Sequence, residues 1–178
     1  MNETERAELA GRLRKAALLE GDFTLRSGKK SKYYFDKYIF EGTPDVLKDV
    51  AAAMAELLPP GTQQLAGVEL GGVPLVTAVS MASGIPAIFV RKEAKDYGTA
   101  KLFEGARVEG APVVIVEDVV TTGGASLKAV EQLRSAGIEV TAVVAVLDRK
   151  QGGAEAFMAA GVEFVPLFDR ADIGMPTE

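Results

Sequence analysis

Residues 113–126, VVIVEDVVTTGGAS, set two adjacent carboxylates between an apolar run and a turn made of threonines and glycines. The run reads as a strand ending at Glu117, and the turn opens onto a helix that begins near Gly124. At a helix start the leading amides have no carbonyl partners and the dipole is positive. Thr121, Thr122, Gly123 and Gly124 therefore offer a cradle for a phosphate. Glu117 and Asp118, just before the cradle, suit hydroxyls or a metal ion a few bonds from that phosphate. A sugar phosphate meets both demands. An ordinary strand, turn and helix with an exposed acidic pair would show some of these features, but the full combination favours a ligand.

The rest of the composition narrows the chemistry. The chain has 178 residues, 48% hydrophobic and 25% charged, enough for one domain with a sizeable core. It contains no cysteine and no histidine, which excludes disulfides, zinc-thiolate sites, Ser-His-Asp triads and Cys-His dyads. Acid-base work must fall to Asp, Glu, Lys or Tyr. A net charge of -5 argues against broad nucleic-acid binding, and no run approaches a membrane span. The first residues, MNETERAELAGRLRKAALLEG, lack the pattern of a secretory signal, so a cytoplasmic location is expected.

Three further segments carry candidate chemistry. Residues 91–101, RKEAKDYGTAK, read either as a solvated charged loop or as lysines that close over a departing pyrophosphate. Residues 68–74, VELGGVP, are a tight turn or a place where backbone approaches a ligand closely. Residues 22–36 contain FTLRSGKKSKYYFD, a hairpin whose apolar side could be a small satellite cluster. Arg149 follows Asp148 at a strand end. The two could form a surface ion pair, yet a planar guanidinium is also the group best shaped to hold a carboxylate.

These segments need a scaffold that gathers them. An amphipathic helix is expected over residues 4–19, with Leu9 and Leu13 on its apolar face and Gly21 just past its end. Thr43 is a plausible N-cap with Pro44 at the first helical position, and that helix stops before Pro59-Pro60-Gly61. Thereafter strands (64–70, 87–91, 113–117, 140–147, 162–168) alternate with helices (73–83, 124–136, 154–160), with Gly84, Gly137 and Gly161 where C-caps belong. After residues 91–101 the next clear strand is expected only beyond Gly110. Continuous apolar strands joined by helices imply a parallel sheet buried on both faces, whose ligands bind at the carboxyl ends of the strands. Leu70-Gly71-Gly72, Arg91-Lys92, 117–125 and Asp148-Arg149 all fall on that edge.

Residues 113–126 resemble the phosphoribosyl pyrophosphate motif of the type I phosphoribosyltransferases, and RKEAKDYG closely resembles the catalytic loop of the orotate phosphoribosyltransferases. The resemblance runs from Phe23 through Arg149, with four motifs in the family's order. It implies an α/β fold with a mainly parallel central sheet flanked by helices and a small N-terminal hood. The chain would then be a single domain over 1–178, with helix and hood hairpin in 1–40 and the α/β core in 41–178.

The same resemblance implies residue roles. Lys95 would be the main catalytic residue, with Asp118 beside it. Phosphoribosyl pyrophosphate would be held by Arg91, Lys92, Lys95 and Tyr97, by the turn Leu70, Gly71 and Gly72, and by Glu117, Asp118, Val119, Val120, Thr121, Thr122, Gly123, Gly124 and Ala125. Orotate would meet Thr121, Arg149, Arg26, Tyr34 and Phe35. Tyr97 stands where many relatives have histidine, Arg26 where many have lysine, and Gly71 where some have lysine. Magnesium would bind through substrate oxygens and water rather than a protein cage. A homodimer is implied, with residues 91–101 crossing to the neighbouring site. The implied reaction converts orotate and phosphoribosyl pyrophosphate to orotidine 5'-phosphate and pyrophosphate in UMP synthesis. A purine or uracil phosphoribosyltransferase, or a non-catalytic RNA-binding regulator of the same fold, are the alternatives.

Overall fold

The structure is a computed structural model and describes residues 1–24, 28, 30–91 and 102–176. Helix α1 (Glu3–Ala17) opens with a capping box: the Asn2 side chain accepts from the Glu5 amide at 3.0 Å, and the Asn2 amide donates to the Glu5 carboxylate at 2.9 Å. Its buried face is Leu9, Ala10, Leu13 and Ala17. The helix stops two residues before the expected end. Leu18 and Leu19 leave it to pair with Phe35 and Tyr34, so strand β1 (Leu18–Thr24) begins where helix was expected. Gly21 accordingly lies inside β1, at a register shift between Glu20 and Phe23, and is no helix terminator. Strand β2 (Lys30–Phe35) completes an antiparallel two-stranded sheet, separate from the main one.

Asp36 then caps a helix too short for a periodic signal, α2 (Lys37–Glu41), by accepting from the Tyr38 amide at 3.1 Å. Helix α3 (Pro44–Glu56) starts with Pro44 as expected, but Thr43 does not cap it with its side chain. The Thr43 hydroxyl donates instead to the Ile39 carbonyl at 2.7 Å, tying α2 to α3.

The main sheet contains β3 (Leu65–Val68), β4 (Ala87–Val90), β5 (Phe103–Gly105), β6 (Val113–Val120), β7 (Val140–Asp148) and β8 (Glu163–Asp169), in the order β5-β4-β3-β6-β7-β8. Helices α4 (Gly72–Ser83), α5 (Gly124–Ser135) and α6 (Gly153–Ala159) connect the strands. All neighbours are parallel except β5, a three-residue edge strand antiparallel to β4 that the apolar pattern did not disclose. Buried Gln64 secures that edge, donating to the Pro86 and Ala106 carbonyls at 2.8 and 3.1 Å and accepting from the Val108 amide at 2.7 Å.

Alternation along β6 divides the core. Val114 and Val116 pack with α1, α3 and α4, whereas Val113 and Ile115 pack with α5 and α6. Each such fully buried branched side chain contributes roughly 1.5–3 kcal/mol relative to exposure. A one-residue slip would exchange the two sets, so the register of β6, and everything at its carboxyl end, is firmly specified. Among the described residues no helix is long and apolar enough to cross a membrane.

Candidate active site

Strand β6 continues three residues beyond its expected end, through Glu117 and Asp118 to Val120. The two acids are therefore part of the strand, and the pleat sends their side chains to opposite faces. Glu117 turns toward α5: Ser126 donates its hydroxyl to Glu117 Oε2 at 2.7 Å, and the Asp118 amide donates to Oε1 at 3.2 Å. Asp118 turns toward α2 and the 69–72 turn, where the Lys37 ammonium lies 2.6 Å from its Oδ2. Both carboxylates line the floor of a small cleft of about 110 Å³, walled by Lys37 and residues 119–121 and 123–126.

The cleft's rim is the start of α5. Gly123 occupies the N-cap with φ 77, a left-handed conformation that favours glycine. Its Cα is pressed against Phe157, so an added Cβ would stand 3.2 Å from that ring. The leading amides of α5 consequently face the cleft in a fixed orientation, and the first turn carries no acidic side chain to compete for an anion.

Charge at and beneath the cleft floor is unevenly balanced. Asp118, Glu117 and Glu41 are all buried, and Lys37 is the cation that meets them. Burial works to lower the Lys37 pKa, but the charge and hydrogen bond of Asp118, with Glu117 behind them, leave it above its ordinary value. Burial first, then the Asp118 charge, pushes Glu41 up to about 8. Glu117 is raised by the same two causes, opposed by its bond from Ser126. Neither carboxylate oxygen of Glu41 has a hydrogen-bond partner among the described residues.

The glycine turn lies directly against this group. Gly71 precedes α4 in a helical conformation, the Glu69–Leu70 peptide is cis, and Leu70 is exposed. A side chain at Gly71 would overlap Asp118 Oδ2 and approach Lys37 Nζ to 2.7 Å. The glycine is thus required for the turn to meet the acid. On the other side, the Arg149 amide donates to the Val120 carbonyl at 2.9 Å, extending the β6–β7 pairing by one residue. Arg149 and Thr121 therefore leave adjacent strand ends together. The carboxylate of Asp148 is engaged by Lys150, whose amide donates to it at 2.8 Å and whose ammonium lies 3.3 Å away.

A phosphate cradle, a buried acid pair and a glycine turn at the carboxyl edge of one parallel sheet match a known family. The phosphoribosyl transferase domain matches residues 40–159. An orotate phosphoribosyltransferase of Nocardioides sp. is 48% identical over 172 residues, covering 97% of this chain and 96% of that one. The chain belongs to the orotate phosphoribosyltransferase family. Its structure is similar to that of Mycobacterium tuberculosis H37Rv orotate phosphoribosyltransferase in complex with Fe(III) dicitrate, with a TM-score of 0.87 and 37% identity over 96% of this chain and 99% of that one. The same Mycobacterium tuberculosis protein in complex with phosphoribosyl pyrophosphate gives a TM-score of 0.83 at 35% identity, with the same coverage.

Against the orotate phosphoribosyltransferase expectations, the structure brings Leu70, Gly71, Gly72, Glu117, Asp118, Val119, Val120, Thr121, Thr122, Gly123, Gly124 and Ala125 to one edge, with Arg149 beside them. Arg91 follows β4 at the same end of the sheet, its amide donating to the Leu102 carbonyl at 3.0 Å. Arg26, Lys92, Lys95 and Tyr97 lie outside the described residues. In the hood the two aromatics part company. Tyr34 is exposed and packs on Phe23 with centroids 5.6 Å apart, whereas Phe35 is buried against Phe40 at 6.2 Å. Strand alternation is the cause: consecutive residues of β2 cannot both face the same side. The two residues expected beside orotate thus present opposite faces of β2.

Sequence reasoning missed Lys37, Glu41 and the role of Ser126. Ser126 stood at the end of the motif without an assignment. Lys37 and Glu41 belong to the five-residue α2, and nothing in their local sequence points to Asp118.

Proposed function

We propose that this orotate phosphoribosyltransferase family member joins orotate to phosphoribosyl pyrophosphate, forming orotidine 5'-phosphate and pyrophosphate. The observation that carries the reading is the cleft where Asp118 and the first turn of α5 share one floor and rim. Acceptors for sugar hydroxyls and donors for a phosphate there sit a few bonds apart. In the reaction, orotate N1 bonds to the ribose anomeric carbon and loses its proton. The carbon–oxygen bond to pyrophosphate breaks, and pyrophosphate departs with the electron pair.

The amides of 121–125 would hold the 5-phosphate, and Asp118 and Glu117 would accept from the ribose hydroxyls while favouring the positive charge that builds on the sugar. The main chain of Leu70, Gly71 and Gly72, with Arg91, would receive the pyrophosphate. Lys92, Lys95 and Tyr97 are assigned to the same charge by resemblance, with Lys95 contributing most. Arg149 and Thr121 would hold the orotate carboxylate, with Tyr34, Phe35 and Arg26 closing the base side.

Magnesium would bind through the donor's own oxygens and water. When bound, it would neutralise charge on the leaving pyrophosphate. A homodimer, with residues 91–101 reaching the neighbouring site, and a cytoplasmic location belong to the same proposal.

Loss of orotate absorbance with magnesium and phosphoribosyl pyrophosphate tests the reading, with uracil and hypoxanthine as competing acceptors. Orotate is expected to be consumed in preference to both. Faster turnover of uracil or hypoxanthine would overturn the assignment.

A further inference from the structure

A donor bearing a phosphate and a pyrophosphate is strongly anionic, yet the cleft proposed to receive it has a floor of carboxylates. Asp118 is 1% exposed, and Glu117 and Glu41 are each 7% exposed. Left uncompensated, the two acids of that floor would repel the ligand and one another in a poorly hydrated corner, with Glu41 buried beside them. Lys37 resolves the conflict by position. It lines the cleft, its ammonium lies 2.6 Å from Asp118 Oδ2, and the Gly71 turn closes over it so tightly that a Cβ there would stand 2.7 Å from Nζ. The Tyr38 ring covers the ammonium from the side, 5.4 Å from its centroid.

The start of α2 fixes that placement. The Asp36 cap sets the helix origin, so the residue after the cap is aimed at the end of β6. Lys37 is itself only partly buried. The ammonium is committed to Asp118 and the turn. Asp118 Oδ1 is meanwhile held by the Val119 amide at 2.5 Å. The carboxylate thus has an amide at one oxygen and the ammonium ion-paired at the other.

We propose that Lys37 is a positioning residue of the donor site: it balances the Asp118 charge and orients that carboxylate toward the ribose hydroxyls, so that an acidic floor accepts a polyanionic donor. This rests on the phosphoribosyl pyrophosphate reading above. The specific consequence is a split in kinetics, because the contact serves the donor and not the base.

The test is steady-state kinetics of Lys37→Met, Asp118→Asn and the double variant, with thermal melting as a folding control. Lys37→Met is expected to raise KM for phosphoribosyl pyrophosphate about tenfold or more, the usual worth of a charge-assisted contact, with KM for orotate within about twofold. In the Asp118→Asn background the same change should alter donor KM by less than about twofold, because a residue acting through Asp118 has nothing left to act through. Unchanged donor KM in folded Lys37→Met overturns the proposal, as does full additivity in the double variant. If Lys37→Met does not fold, Lys37→Gln replaces it, and failure of both assigns Lys37 a purely structural role and overturns the proposal. Absence of orotidine 5'-phosphate formation by the unsubstituted protein would instead defeat the functional reading itself.

Discussion

The phosphate cradle and the hood hairpin, proposed to serve opposite ends of one site, are built by opposite means. The cradle is the continuation of β6, a strand buried along nearly its whole length between two neighbours, and its turn is locked against Phe157. The hood is two strands alone, exposed along much of both, with a register shift in β1 and one buried residue, Phe35. A two-stranded sheet of that kind has little stability of its own. In the proposed reaction, rigid backbone would serve the part of the ligand that must be placed before bond breaking, and the less supported hairpin the part that enters and leaves.

That contrast predicts where substitutions act. Asp118→Asn strikes the rigid end and should have the largest effect, lowering kcat/KM for phosphoribosyl pyrophosphate by roughly 100-fold or more, since charge stabilisation at a preorganised site is lost. A loss below tenfold in purified, folded protein would remove Asp118 from the chemistry. Arg149→Ala comes next. It should raise KM for orotate by about 10- to 100-fold, the worth of a charge-assisted contact to a carboxylate, with donor KM nearly unchanged. Equal effects on both substrates would mean that the two ends of the site are not separable.

Much of the cradle was legible in the sequence because its causes are local. An apolar run followed by acids, threonines and glycines dictates strand, turn and helix without reference to anything distant. The same holds for Gly84, which ends α4 in a left-handed conformation as its position implied. What stayed hidden depends on contacts across the fold. Leu18 and Leu19 satisfy a helical and a strand pattern equally, and only pairing with Phe35 and Tyr34 decides between them. Strand β5 is three residues long and is held by Gln64, far away in sequence. Lys37 and Glu41 meet Asp118 only because α2 turns back under the sheet edge.

On the hood itself, Tyr34→Ala should be the mild counterpart of Asp118→Asn. Tyr34 is 44% exposed and its described ring contact is Phe23, within the same hairpin. KM for orotate is expected to rise about 3- to 10-fold through loss of one aromatic face, while the melting temperature moves by no more than about 2 °C. A large fall in melting temperature would show that the hood is integral to the core, and the contrast drawn between the two regions would fail.

The smallest effect is expected at the junction. Glu41 lies on α2, between hood and cradle, and faces Asp118, Glu117 and Lys37. Burial holds its carboxyl up to about 8 against an ordinary value of 4.5. Between those values the folded protein keeps a proton that the unfolded chain has released, so stability must fall as pH rises through that window. Glu117, raised in the same direction, adds to the slope, and Lys37, raised above its ordinary 10.5, titrates outside it. Glu41→Gln removes one of the two contributions. Its melting temperature should match that of the unsubstituted protein near pH 4.5 and exceed it at pH 8. Parallel melting curves across the window would mean that Glu41 is already ionised in the folded state, and that the junction tolerates more charge than its burial implies.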